Sequence, residues 1–393
     1  RDVESVQDMA VRRYPTTKTY YQRGRITQDA IHAMLCELYL WKQDWDNCIR
    51  YADLVIASKK KIAEENRQSS SYGFSSSSLY ERTNGYPLVS DNVQGSYYGN
   101  AYDVLFTNDR NYQSYNTEII FQLIFDDDPL GNDMLANMAA NTLYGNAVSM
   151  KGYVVPSDYV MEDIAKTSSR TIFADRNKKM DARMYENINT GSNSINKFVW
   201  QSVTIDATTT SPKILYSSPY EEKYNGSNWI IYRLSDIMLM KAEALTMKAQ
   251  EGSTPEIVEA NKQYLDQAFV LVNAVNKRSV CETQLEDTLV RTDYNSKLQM
   301  ETLVFQERQR ELMFEGKRWF DLVRLSQRNG NTQSLVTAAL RKVTTGSALI
   351  QNRLTKMDAI YWPYNYEELK VNTNLKQNPA FSSGESGSYE KNY

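Results

Sequence analysis

The sequence predicts a mainly α-helical protein, in which helical hairpins of the tetratricopeptide type lead into an irregular, loop-rich C-terminal half with a few short strands. Three observations predict it. Capped, apolar-periodic helix pairs occupy 27–57 and 229–278; a stretch from about Ser296 to Gln327 repeats apolar residues every seven positions; and the segments between are rich in Ser, Gly, Asn and Tyr. At 393 residues the chain holds two or three domains' worth of sequence and can bury a sizeable core.

In the first pair, Thr27 is placed as an N-cap with Asp29 in the first turn, and the helix runs from Ala30 to Trp41; Asp44 caps a second helix from Trp45 to about Ala57. The tetratricopeptide pattern W-x2-L-G-x2-Y followed by A-x3-F maps onto His32, Leu35, Cys36 and Tyr39, then Cys48 and Ala52, with Leu35 and Tyr39 matching by identity. Cys36 and Cys48 fall where that repeat needs small residues, so they read as core rather than as a redox or metal pair. His32 stands in for the pattern's large aromatic and reads as a packed imidazole.

From Ser58 to Asn116 the character changes to Ser runs with interleaved aromatics, among them Tyr72, Phe74, Tyr80, Tyr97 and Tyr98. Pure linkers are poor in aromatics, so the segment is either a Ser-rich linker or in part a ligand-facing surface. Glu118 to Phe125 reads as a strand or short buried segment, stopped by Asp126-Asp127-Asp128-Pro129. The three carboxylates lack the spacing of a calcium loop and read as an acidic turn. Leu130 to Tyr153 reads as a second irregular insert; Lys197 to Trp200 and Lys213 to Tyr216 read as short strands around a Thr-rich turn, Thr204 to Pro212. Helical signal resumes at Trp229 and covers Ile230 to Leu245; Ser253-Thr254-Pro255-Glu256 then caps a helix reaching about Arg278.

In the long helix, Leu298, Phe305, Leu312 and Trp319 make one apolar stripe, and Gly316 either separates two helices or admits a neighbouring backbone. Glu307, Glu311 and Glu315 form a like-charged row at i, i+4, each repulsion costing a few tenths of a kcal/mol in an isolated helix. Arg and Asp at i, i+3 (Glu307 with Arg310, Arg308 with Glu311, Asp321 with Arg324) offset part of it, so the row calls for tertiary partners. Two carboxylates one turn apart also meet, on paper, the spacing of a retaining glycosidase. The Arg-rich surroundings favour a structural reading, because a glycosidase acid needs one carboxyl pushed upward.

Composition removes other classes. With 45 Lys+Arg against 48 Asp+Glu the net charge is -3, and no surface attraction for a polyphosphate is expected, hence no nucleic-acid partner. The single His32 removes multi-His metal sites and most nucleophile–His schemes, no cofactor is indicated, and three Cys cannot form a fully paired disulfide framework. No run approaches the roughly 18 to 20 apolar residues of a membrane span. Tyr is in excess, 28 against 11 Phe and 6 Trp, which suggests aromatic surface meeting water or a polar ligand.

The string Glu307-Arg308-Gln309-Arg310-Glu311-Leu312-Met313-Phe314-Glu315-Gly316-Lys317-Arg318-Trp319-Phe320-Asp321-Leu322-Val323-Arg324 resembles the C-terminal signature of the SusD/RagB family of nutrient-binding outer-membrane lipoproteins. Gly24-Arg25 to Ile56, Asn116 to Phe125, Asp181 to Met184, Ile231 to Leu245, Trp362-Pro363 and Asn372 to Phe381 resemble further family segments in the family's order, with Tyr364-Asn365, Ala182 and Ala380 as departures. The resemblance implies a tetratricopeptide-type α-α superhelix with an N-terminal region at 1–115, shortened at its start and carrying the Ser/Tyr-rich insert, and a C-terminal domain at 116–393.

It also implies a non-catalytic protein at the cell surface, lipid-anchored in the outer membrane by an N-terminal Cys outside this sequence. Such a protein would bind oligosaccharide or peptide and deliver it to a SusC-like TonB-dependent transporter. Family ligand residues have no motif to carry across, so the site is sought physically: rings stack on sugar C–H faces while amides and hydroxyls bond the rim. Tyr72, Tyr97, Tyr98 and Asn100, with Tyr144 in the second insert, are the expected ligand residues. A glycoside hydrolase working through acidic residues and a helical-repeat scaffold binding only protein are the alternatives.

Overall fold

The computed structural model describes residues 1–15, 21–69, 83–91, 96–107, 117–125, 136–157, 159–160, 172–173, 180–208, 213–252, 254–281, 289–343 and 345–382. Asp126 to Asp128 and the expected boundary at 115/116 lie outside these residues. The chain divides into two compact units, Arg1–Gly316 and Lys317–Tyr393. The fold is mainly helical with few, short strands.

The first unit begins with two one-turn helices, α1 (Asp2–Val6) and α2 (Tyr21–Gly24), and then a hairpin of α3 (Gln28–Trp41) and α4 (Trp45–Ser69). The expected caps form: Thr27 Oγ1 accepts the Ala30 N–H at 3.3 Å and Asp44 Oδ1 the Asn47 N–H at 3.2 Å. At the crossing, Cys36 and Cys48 are fully buried with Sγ atoms 3.7 Å apart, and small side chains there let the two helix backbones approach. His32 is buried against Tyr51, ring centroids 5.8 Å apart, and burial lowers its pKa.

Helix α4 continues three turns beyond the expected end at Ala57. The extension, Ser58 to Ser69, is built from the good helix formers Lys, Ala, Glu, Gln and Arg, which outweigh its lack of apolar periodicity. One of its lysines does tertiary service: Lys59 is buried, its Nζ 3.2 Å from the Ile119 carbonyl and 3.5 Å from the Asp29 carboxylate.

The remaining helices of this unit are α5 (Asn100–Phe106), α6 (Met138–Tyr144), α7 (Ala182–Asn187), α8 (Leu234–Lys248), α9 (Pro255–Ser279) and α10 (Lys297–Glu311). Helix α8 is the axis of the helical core. It is wrapped by α3, α4, α9 and α10, and the Ala-, Met- and Leu-rich helix has no solvent face to keep polar.

The strands are β1 (Tyr97–Tyr98), β2 (Ile119–Leu123), β3 (Ile188–Asn189), β4 (Ser194–Ile195), β5 (Val203–Asp206), β6 (Lys213–Tyr216) and β7 (Trp229–Arg233), all paired antiparallel in the orders β1-β5-β6, β2-β7 and β3-β4. Three sequence expectations change here. Trp229 to Arg233 is strand, because its β-branched and aromatic residues pair with β2 before the helix starts at Leu234. Thr204 to Asp206, read as the start of the turn Thr204 to Pro212, belong with Val203 to the central strand β5; Lys197 to Trp200, read as strand, is a turn around Phe198 at φ 66° with a single bridge from Trp200 to Pro219.

Two apolar clusters result. One is formed by α3, α4, α8, α9 and α10; the other by α5, α6, α7 and the β1-β5-β6 and β3-β4 strands, around Tyr98, Tyr102, Phe198 and Ile205. The long C-terminal helix is interrupted, as Gly316 permits: α10 ends at Glu311 and the chain turns through Phe314 (φ 63°) and Gly316 (φ 77°). Phe305 and Leu312 of the predicted stripe are buried, whereas Leu298 in the first turn is 69% exposed.

The second unit holds α11 (Arg318–Asn329), α12 (Gln333–Leu340), α13 (Ser347–Leu354), a 3-10 turn at Met357–Ile360 and α14 (Tyr366–Val371). Within it, α11 packs on α12 and on the 3-10 turn, and Gly330 closes α11 in the left-handed conformation at φ 64°.

Candidate functional site

The acidic row, Glu307 and Glu311 on α10 and Glu315 in the turn beyond it, finds its partners from across the first unit. Glu307 Oε1 accepts from Arg183 Nη1 at 2.7 Å and its Oε2 from Arg310 Nη2 at 2.7 Å. Glu311 accepts from Arg183 Nη1 at 2.9 Å and from Arg233 and Arg278. Glu315 accepts from Arg233 Nε at 2.9 Å and Lys197 Nζ at 2.9 Å. Glu118 joins through Arg233 Nη1 at 2.9 Å and Arg278 Nη1 at 3.3 Å, and Asp181 through Arg183 Nη2 at 2.6 Å. Among the described residues this makes one connected cluster of five carboxylates and five cations, hence electrically neutral.

Its chemistry follows from that pairing. Burial by itself raises a carboxyl pKa, but here the neighbouring guanidinium groups win. Glu307 and Glu315 are held below the usual value of 4.5 and Glu311 well below it. All three are buried, so the row offers no carboxyl with a proton to donate near neutrality and none open to substrate. The i, i+3 pairs expected along the helix form for Glu307 with Arg310 and, in the second unit, Asp321 with Arg324; Arg308 instead reaches Asp236 on α8 at 3.0 Å. Among the described residues no three of His, Cys, Asp and Glu stand together as a metal-binding group, and no helix is long and apolar enough to cross a membrane.

The expected ligand residues separate. Tyr72 lies outside the described residues. On β1 the two-residue alternation turns Tyr97 outward, 38% exposed, and Tyr98 inward to the second core cluster at 1%. Gly99 (φ 117°) then reverses the chain into α5, where Asn100 Nδ2 donates to the Ser90 carbonyl at 2.9 Å. Tyr144 is also core: its hydroxyl donates to the Phe314 carbonyl at 2.7 Å and its ring stacks near Trp229 at 6.3 Å, while burial pushes its pKa up. Tyr98 and Tyr144 are thus packing residues, and among the described tyrosines of this set Tyr97 alone presents much of its ring to water.

Other rings reach solvent instead. Nine residues after Tyr144, Tyr153 is 87% exposed on a loop fixed by Asn146 Oδ1, which accepts the N–H groups of Val148 and Ser149, each at 2.9 Å. In the second unit Tyr361, Trp362, Tyr364 and Tyr366 are all more than half exposed. The sequence signal for that group was Trp362-Pro363 with three flanking Tyr, read for its family resemblance and not for its surface chemistry.

A sequence model described as the SusD family matches residues 106–381. The chain belongs to the SusD family. Among curated relatives, the SusD-like protein P38 of Formosa agariphila is 28% identical over 155 residues, which is 39% of this chain and 25% of that protein. A SusD superfamily crystal structure from Bacteroides thetaiotaomicron aligns with a TM-score of 0.50 at 16% identity, covering 97% of this chain and 66% of that one. One from Bacteroides fragilis NCTC 9343 gives 0.50 at 15% identity, covering 97% and 70%. These likenesses establish the SusD fold. The chain spans a quarter of the curated SusD-like relative and about two thirds of the first solved structure.

Proposed function

We propose that this protein is a non-catalytic, cell-surface binder of oligosaccharide nutrient that passes its ligand to a SusC-like TonB-dependent transporter in the outer membrane, to which a lipid anchor would tether it. The observation that carries the reading is the SusD family match over residues 106–381. The ionic cluster supports the non-catalytic part: the carboxylates of Glu307, Glu311 and Glu315 are buried and charge-neutralised, so none of these three is placed to serve as a general acid or an accessible nucleophile. A peptide ligand would use the same exposed rings, through ring-to-proline or ring-to-backbone contact, and is the second reading.

The test is binding and turnover measured on one glycan panel. The reading expects saturable, reversible binding to at least one oligosaccharide with no release of reducing sugar. It also expects co-purification with a TonB-dependent barrel when the two are expressed together. Reducing-sugar release by the purified wild type would establish the hydrolase in its place, and binding to peptides alone would establish the second reading.

A further inference from the structure

We infer that the segment Tyr361-Trp362-Pro363-Tyr364-Asn365-Tyr366 of the second unit is a stacking shelf for a neutral oligosaccharide. The inference rests on the binding reading above and places a site that the sequence did not point to. Four large rings in six residues stay open to water, with exposures of 58% for Tyr361, 75% for Trp362, 51% for Tyr364 and 63% for Tyr366. Single exposed rings are ordinary, but a contiguous set of this size marks an interaction surface.

The rings are held open by design of the local backbone. The Gln377 side chain clamps Tyr364 from both sides: its Oε1 accepts the Tyr364 N–H at 3.0 Å and its Nε2 donates to the Tyr364 carbonyl at 3.0 Å. Asn378 Nδ2 donates to the carbonyls of Asp358 at 2.8 Å and Tyr361 at 3.0 Å. Pro363 fixes its own φ, and the chain on either side is extended, with Tyr361 at φ -103°, ψ 146° and Asn365 at φ -59°, ψ 137°. Trp362 rests one flank on Trp319, ring centroids 5.2 Å apart, and keeps the rest of its ring free. Along this extended chain alternate residues stand roughly 6.6 Å apart, so Trp362 and Tyr364 are spaced before any ligand arrives, and Tyr366 follows as the first residue of α14 with the Lys370 ammonium 4.4 Å from its ring centroid.

The chemistry selects the occupant. From 356 to 378 the charges cancel, Lys356, Lys370 and Lys376 against Asp358, Glu367 and Glu368, and Lys370 already pairs with Glu367 at 3.1 Å. Within that stretch a phosphorylated or strongly acidic ligand meets no net opposite charge. Between 361 and 366 the side chains are four rings, one proline and one amide, with no charged group. What remains is aromatic faces and phenolic hydroxyls beside amides, the surface that meets sugar C–H faces and hydroxyl rims.

The experiment is affinity electrophoresis of the full chain through native gels containing starch, laminarin, mannan or xylan, with Trp362→Ala, Trp362→Phe and Tyr364→Ala beside the wild type. Tyr153→Ala serves as an exposed-ring control from the first unit. The shelf predicts that the polysaccharide retarding the wild type is bound at least tenfold more weakly by Trp362→Ala and Tyr364→Ala. Trp362→Phe should retain most of the binding, Tyr153→Ala all of it, and thermal melting should show every variant folded. Retardation of wild type and Trp362→Ala alike overturns the shelf and leaves the oligosaccharide reading standing. Retardation by none of the polysaccharides, with Trp362-dependent binding of a proline-rich peptide measured separately, overturns both.

Discussion

Replacing Glu311 by Gln tests the central structural claim. The Glu311 carboxylate accepts from Arg183, Arg233 and Arg278, all within the buried neutral cluster, so the amide leaves one positive charge uncompensated and turns an Nε2 donor toward groups that only donate. Removing one partner of a buried ion pair costs about 3–5 kcal/mol, a large share of the 5–15 kcal/mol that holds a typical domain folded. With a denaturant slope of roughly 3 kcal/mol/M, a loss of about 4 kcal/mol moves the urea midpoint down by about 1.3 M.

The assay is urea unfolding followed by Trp fluorescence at pH 7, with exposed Glu259→Gln on α9 as the control that should leave the midpoint unchanged. The pH profile supplies a second reading. Because the folded state lowers the pKa of Glu307, Glu311 and Glu315, their contribution is fully present above the ordinary value of 4.5 and is lost as pH falls through the folded values. Wild type should therefore weaken steeply in acid and Glu311→Gln less steeply. A midpoint shift below about 0.3 M, equivalent to under roughly 1 kcal/mol, would refute the claim that Glu311 sits charged among three guanidinium groups.

Other predictions follow from single contacts. Buried Glu186 has its pKa raised well above 4.5, by burial first and then by Asp91, with Arg278 and Lys197 opposing. Its contribution is therefore present below 4.5 and lost as pH rises, so Glu186→Gln should flatten the decline in urea midpoint between pH 5 and 8. At Gly99, φ is 117° and a Cβ would stand 1.9 Å from the Val203 carbonyl oxygen, so Gly99→Ala should break the β1–β5 pairing and lower stability by roughly 3 kcal/mol or more, read by thermal melting. Thr27→Ala removes the cap of α3 and should cost about 1 kcal/mol, recovered in large part by Thr27→Ser.

Where local chemistry decides the structure, the sequence was readable. The caps at Thr27, Asp44 and Thr254 and the small Cys36 and Cys48 act within one or two turns, and the residues carry their own instructions. Long-range pairing was not readable. Trp229 to Arg233 carries apolar residues acceptable to helix or strand, and β2, more than a hundred residues earlier, decides for strand. Likewise the row at Glu307, Glu311 and Glu315 announced a need for partners, but Arg183, Arg233 and Arg278 come from α7, β7 and α9, and nothing in the local pattern of α10 names them. The Tyr excess was a sound compositional clue whose location depended on burial: ring faces at Tyr98 and Tyr144 are spent on packing, those at Tyr153 and 361–366 are not, and only the fold separates the two uses.

The neutral ionic cluster also bears on how the first unit assembles. Its members come from the approach to β2, from α7, from the turn at Lys197, from the end of β7, from the last turns of α9 and from α10 with the turn that follows. Any partly assembled state lacking one of these segments would strand a charge in a dehydrated interior, or keep water there and forgo closing the two apolar clusters. Assembly of the first unit is thereby made close to all-or-none: the cluster acts as an inspection point that passes only a complete set of its segments.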